Sequence, residues 1–168
     1  MTSTSGERVA APVREIGGFF AMPWTPWSSS SSRRSHGRRL NSSVVANVYT
    51  IQHQAGCTTN IKINPKLQLA AQWHTDDVLN DRALDGDIGS DGSTVQARAA
   101  AAGYSGVVAE TVAINPALAI SGIELLNQWY YNPAYLAIMQ NCANAEIGVW
   151  SENSLDRTVV VAVYGQPT

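Results

Sequence analysis

The sequence predicts an α+β domain, and three observations carry that prediction. Apolar residues recur at helical spacing through the middle of the chain. The chain closes with two strand-like runs, AEIGVW and TVVVAVYG. Between them, helices and strands do not alternate as a doubly wound sheet requires. At 168 residues there is room for one domain with a substantial core.

The elements follow in order. In NSSVVANVYTIQHQAGC, Val44, Val48 and Ile51 recur at helical spacing and Gly56 supplies a stop, which predicts a first helix over residues 43–55. In NIKINPKLQLAAQWHTDDVLNDR, Asn64 is a good N-cap and Pro65 suits the first helical position. Leu67, Ala70, Ala71, His74 and Val78 share one face, so a second helix is expected over residues 65–80. His74, alone on that apolar face, reads as a hydrogen-bonded core residue rather than a catalyst.

A third helix, in STVQARAAAAGY, is expected to be capped by Ser93 or Asp91 and ended by Gly103. SGVVAETVAINP reads as a short strand with Glu110 in its middle, either on an exposed face, the reading that spacing alone favours, or buried for a reason. SGIELLNQWYYNP gives a fourth helix with Ile123, Leu126 and Tyr130 on one side, and Pro133 opens a shorter fifth, PAYLAIMQN. The final strands are joined by the polar turn SENSLD. No internal repeat is visible.

The stretch LDGDIGSDGST puts three aspartates and three glycines into the run from Leu84 to Thr94. An EF-hand started at Asp85 has Asp87 in place. It then needs an acid at Gly89, a glycine at Ser90 and a glutamate at Gln96, and all three fail. The stretch delivers the chain into a helix N-terminus, where acids favour the positive dipole end and glycines supply turn geometry.

The net charge of -2 hides an asymmetry. Residues 1–40 carry six arginines against Glu7 and Glu15, or +4, and residues 41–168 carry five bases against eleven acids, or -6. An acidic body argues against nucleic acid as the main partner, because phosphate neutralisation needs clustered Lys and Arg. Residues 1–40, ending in SSSSSRRSHGRR, read as a disordered basic Ser/Arg-rich arm ahead of a domain over residues 41–168. No run is apolar for long enough to span a bilayer. IGGFFAMPW is too short for the apolar centre of a signal peptide, is broken by Pro23, and lacks a small-residue cleavage site after it. Cys57 and Cys142 lack metal-ligand spacing, and read as one disulfide or as two small buried thiols. There is no G-x-S-x-G elbow and no H-E-x-x-H helix.

Taken in order, NPKLQLAAQWHTDDV, GSDGSTVQARAAAAGY, AETVA, WYYNPAYLAIM, AEIGVW and VVVAVYGQ resemble the CAP superfamily of cysteine-rich secretory, antigen 5 and pathogenesis-related proteins, and most of all its bacterial SCP-like branch. The resemblance spans residues 44–166. It implies an α-β-α sandwich, with a central antiparallel sheet between helical layers, and a secreted or envelope setting. The ends of the first and fifth helices, where Cys57 and Cys142 fall, can meet in such a sandwich, so a disulfide between them is expected.

The resemblance also implies a cleft in which histidines and acids hold a divalent metal. Here the first histidine position falls on Asp87, the strand glutamate on Glu110, and the histidine after WYYNP on Tyr135. Without imidazoles the site is degenerate, and no metal and no cofactor are expected. The expectation is a monomeric, non-catalytic binding domain for a lipid-like or protein ligand. Trp129 to Tyr131 can line a groove or pack in the core. The alternative is a hydrolase using Asp87 and Glu110, with calcium or magnesium.

Overall fold

A computed structural model of the chain describes residues 29–116 and 120–168. In chain order its elements are α1 (Ser29–Gln54), β1 (Lys62–Ile63), α2 (Pro65–Asn80), α3 (Val95–Ala101), β2 (Val107–Asn115), α4 (Gly122–Tyr130), α5 (Pro133–Gln140), β3 (Glu146–Asn153) and β4 (Thr158–Gln166). The strands form one sheet in the order β1-β3-β4-β2.

Alternation along β4 organises the whole fold. Val159, Val161 and Val163 pack with Leu67, Ala70, Ala71 and Val78 of α2 and Ala99 of α3. Val160, Ala162 and Tyr164 pack with Leu40, Val44, Val48 and Ile51 of α1, Leu125 and Trp129 of α4, and Met139 of α5. A strand with period-two side chains thus feeds two cores, one on each face, and that makes the α-β-α sandwich. Each aliphatic side chain so buried stabilises by roughly 1.5–3 kcal/mol.

β2 and β3 flank β4 antiparallel, but β1 joins β3 in parallel, so the sheet is mixed rather than wholly antiparallel. A two-residue strand between Asn60 and the Asn64–Pro65 cap leaves no periodicity to detect in the sequence. α2 has the bounds its caps and face predict; Asn64 caps it through Lys66 N–H.

The other helices differ in instructive ways. α1 begins at Ser29 rather than Ser43, so residues 29–40 of the expected arm are helical, and Leu40 extends the Val44–Val48 stripe by one turn into the core. Between Ser29 and Leu40 no apolar residue signals a helix. The rest of the expected arm, residues 1–28, lies outside the described residues. α3 is capped by Thr94, which accepts from Ala97 N–H, because Ser93 and Asp91 are engaged within the preceding loop. α4 turns Leu125, Leu126 and Trp129 inward, and of the three residues that spacing puts on one side it buries Leu126 but leaves Ile123 and Tyr130 exposed.

Cys57 and Cys142 form a disulfide with a Cα–Cα separation of 5.3 Å. Beside it, the buried Gln52 donates to Asn144 O at 2.9 Å and Asn141 O at 3.3 Å, so α1 and the α5–β3 turn are joined twice.

Candidate functional site

On the α2–α3 face of the sheet, three buried polar side chains converge beneath residues 84–94. The register β2–β4 sets Glu110 opposite Val163, which turns its carboxylate inward rather than onto the exposed face that spacing suggests. From α3, Arg98 Nη2 donates to both Glu110 oxygens at 3.0 and 3.2 Å. From α2, His74 Nε2 lies 3.5 Å from Glu110 Oε1. Side-chain exposure is 0% for His74, 1% for Glu110 and 7% for Arg98.

This cluster holds the loop. Arg98 Nη2 also donates to Asp87 O at 2.7 Å, and Nη1 donates to Ser93 O at 2.8 Å and Ser93 Oγ at 3.2 Å. His74 Nε2 donates to Gly86 O at 2.8 Å, which fixes the tautomer and leaves a buried Nδ1 without a partner among the described residues. Outside, the Asp77 carboxylate accepts from Ser90 N–H at 2.7 Å and Ser90 Oγ at 2.6 Å. Gly92 turns the chain at φ +79, a conformation that favours glycine. The aspartate-glycine stretch is therefore a clasped loop, closed from below by Arg98 and from outside by Asp77.

The electrostatics follow from burial. Desolvation pushes the Glu110 carboxyl up to about 8, against the opposing pull of the Arg98 guanidinium. Desolvation lowers the His74 pKa, with Arg98 adding to that and the Gly86 bond and nearby aspartates opposing it, so the imidazole is neutral at pH 7.

Of the residues singled out from sequence, Glu110 lies inside the cluster, while Asp87 contributes its carbonyl and keeps its side chain exposed. Tyr135 sits on α5 across the sheet, half-buried against the α1–α4–α5 core. Desolvation raises its pKa, the Val112 backbone opposes this on β2, the last strand of the sheet order, and the charges of Asp87 and Glu110 reach it. No hydrogen bond or ion pair joins the three side chains among the described residues. No group of three or more His, Cys, Asp and Glu is placed to hold a metal among those residues either.

Sequence reading passes over Arg98. Its signal is a lone charge on the apolar stripe of α3, between Val95 and Ala102 beside the buried Ala99. Outside the clasp, α2 and α3 bound a groove of ≈ 540 Å³ lined by Trp73, Asp77, Ser90, Asp91 and Arg98 among others.

By sequence, the chain matches no protein-family model and no curated protein. By structure it is similar to an outer surface protein from Borrelia burgdorferi, with a TM-score of 0.67 at 13% identity over 78% of this chain and 95% of that one. It is similar to an extracellular protein containing a SCP domain from Bacillus anthracis, with a TM-score of 0.68 at 13% identity over 86% of this chain and 44% of that one. It is also similar to a cysteine-rich secretory protein from Staphylococcus aureus, with a TM-score of 0.59 at 14% identity over 98% and 43%. The chain thus spans less than half the length of the latter two. At these identities the likeness is one of fold, and the sandwich is of the bacterial SCP-like type.

Proposed function

We propose, with the SCP-like fold as premise, that the chain is a secreted or surface-exposed binding domain without catalytic activity. One observation carries this reading: Glu110, the acid that the resemblance assigns to a metal cleft, is buried and engaged by Arg98, so its carboxyl anchors the arginine that clasps the loop instead of facing a substrate. The disulfide favours an oxidising compartment. The names of the similar structures, an outer surface protein, an extracellular protein and a secretory protein, point the same way. No described helix is long and apolar enough to cross a membrane.

A lipid-like or protein ligand fits the outer side of α4. There Ile123 is 73% and Tyr131 80% exposed, and Tyr130 stands edge-to-face with Tyr131. The hydrolase reading asks Asp87 and Glu110 to work as a pair, while Glu110 is closed off beneath the loop.

Zinc calorimetry on the purified chain tests the degenerate cleft. Little heat is expected from the natural sequence, and zinc binding at micromolar strength or better would overturn the reading. Asp87→His with Tyr135→His should create zinc affinity if both positions border one cleft at the β2 edge. A folded double variant without it would remove those two positions from the site.

A further inference from the structure

A second cavity of ≈ 490 Å³ lies away from the clasped loop, and β3 forms its floor. β1 covers only Glu146 and Ile147 of that strand, since Asn64 caps α2 and Pro65 has no N–H to continue a ladder. Ile147 O accepts from Asn64 N–H at 2.9 Å, so Ile147 faces the β1 side. Alternation then turns Val149, Ser151 and Asn153 the same way, with no strand beside them among the described residues.

The open edge is not flat. α1 forms one wall through Gly37, Arg38 and Asn41, and α2 forms the other through Gln68. Gly37 O lies 3.4 Å from Ser151 Oγ, so α1 comes down close to the strand. Each side also keeps a buried polar atom without a partner among the described residues, Asn41 Oδ1 and Trp150 Nε1. Walls on both sides exclude a second sheet with its own helices. They admit one extended chain.

We infer that this slot is a strand-addition site for an extended, proline-free peptide of a partner protein, bound along residues 148–153 of β3. Main-chain hydrogen bonds to the open edge supply affinity, and side chains alternating between the two walls supply specificity. The walls differ in charge. Arg38 stands on α1, and Glu152 points to the α2 face together with Trp150. Neither forms an ion pair among the described residues, so both are available to a ligand. Successive side chains of an added strand face opposite walls. The fitting peptide therefore carries an acidic and a basic residue separated by an odd number of positions, the acid toward Arg38 and the base toward Glu152. This site is independent of the Glu110 cluster, and its failure leaves the reading of that cluster untouched.

The test is fluorescence anisotropy on the full chain with the labelled peptide Thr-Val-Thr-Glu-Lys-Val-Thr-Val. Saturable binding is expected. It should weaken at least tenfold for Thr-Val-Thr-Glu-Val-Lys-Thr-Val, which sends both charges to one wall, and for the first peptide N-methylated at alternate residues, which removes its edge donors. Glu152→Lys should weaken the first peptide by a similar factor, and near-ultraviolet circular dichroism reports whether that variant is folded. Binding indifferent to N-methylation or to charge spacing would overturn the proposal. So would refusal of both peptides by the full chain, whether a second copy or the chain's own preceding segment holds the edge.

Discussion

Replacing Arg98 with Met should destabilise the protein by an amount that grows with pH. The substitution removes the guanidinium contacts to Asp87 O, Ser93 O and Ser93 Oγ along with those to Glu110. Two part-buried carbonyls left without donors cost about 2–3 kcal/mol together, at the low end of the range for unsatisfied groups. The pH dependence comes from Glu110. Its carboxyl is pushed up to about 8 in the folded protein from an ordinary value of 4.5, so between those values the unfolded chain gives up a proton that the folded one keeps. Stability therefore falls as pH rises through that window, by up to about 1.4 kcal/mol per unit, and levels off above the folded pKa. Without Arg98 the carboxyl loses its main counter-charge and its pKa rises further. The decline then continues past pH 8, and the gap between the two proteins widens by about 1 kcal/mol between pH 8 and 9. Urea unfolding at half-unit steps from pH 5.5 to 9 measures this directly. Adding Glu110→Gln to the variant should abolish the widening, because the titrating group is gone. A difference that stays flat with pH, or one below about 1 kcal/mol throughout, would refute the assignment of Arg98 as counter-charge and clasp.

Three further outcomes are expected. Gly148→Ala should cost about 3 kcal/mol or more in urea unfolding, because a Cβ there would lie 2.0 Å from Gln68 N in the α2 backbone; a near-neutral change would show that α2 does not sit on β3 as described. Replacing both Cys57 and Cys142 with Ser should lose about 4–5 kcal/mol in the loop-entropy estimate, the bridge closing a separation of 85 residues, and two free thiols in natural protein purified without reductant would contradict the pairing. His74 has a lowered pKa, so below the ordinary imidazole value of 6.5 the unfolded chain takes a proton that the folded one refuses, and its contribution is lost as pH falls. Glu110 acts in the opposite sense between 4.5 and 6.5, so the comparison is made with His74→Gln at each pH: the natural protein's advantage should shrink between pH 7 and 5, and a constant gap would remove His74 as the titrating group.

What the sequence discloses depends on whether its signal is local. Asn64, Pro65 and the Leu67–Val78 face specify α2 within a few turns, so its bounds are readable. The two closing strands are legible for the same reason. β1 is not, since two residues become a strand only because β3 is beside them. The inward turn of Glu110 depends on its register against Val163, fifty-three positions later, and its partner Arg98 lies in a run of alanines too small to mark which side of the helix is covered. The α4 face is misread because Ile123 and Tyr130 are as apolar as Leu125 and Trp129, so composition cannot decide which side is covered. The resemblance to the bacterial SCP-like branch carries the topology that these local patterns lack.

β4 comes after every other element in chain order, yet it lies between β3 and β2 and lends side chains to both cores. During synthesis, a nascent chain that has reached residue 157 holds α1 to α5, with apolar faces and no common surface on which to lay them. The β3 and β2 edges have no strand between them. Neither layer can assemble on its own, so there is no stable half-domain for the ribosome to release early. Folding waits for residues 158–166 and then proceeds as one event. Until that strand emerges, both apolar layers are open to chaperones and to other nascent chains, and any truncation before Thr158 should leave an aggregation-prone polypeptide instead of a partial fold.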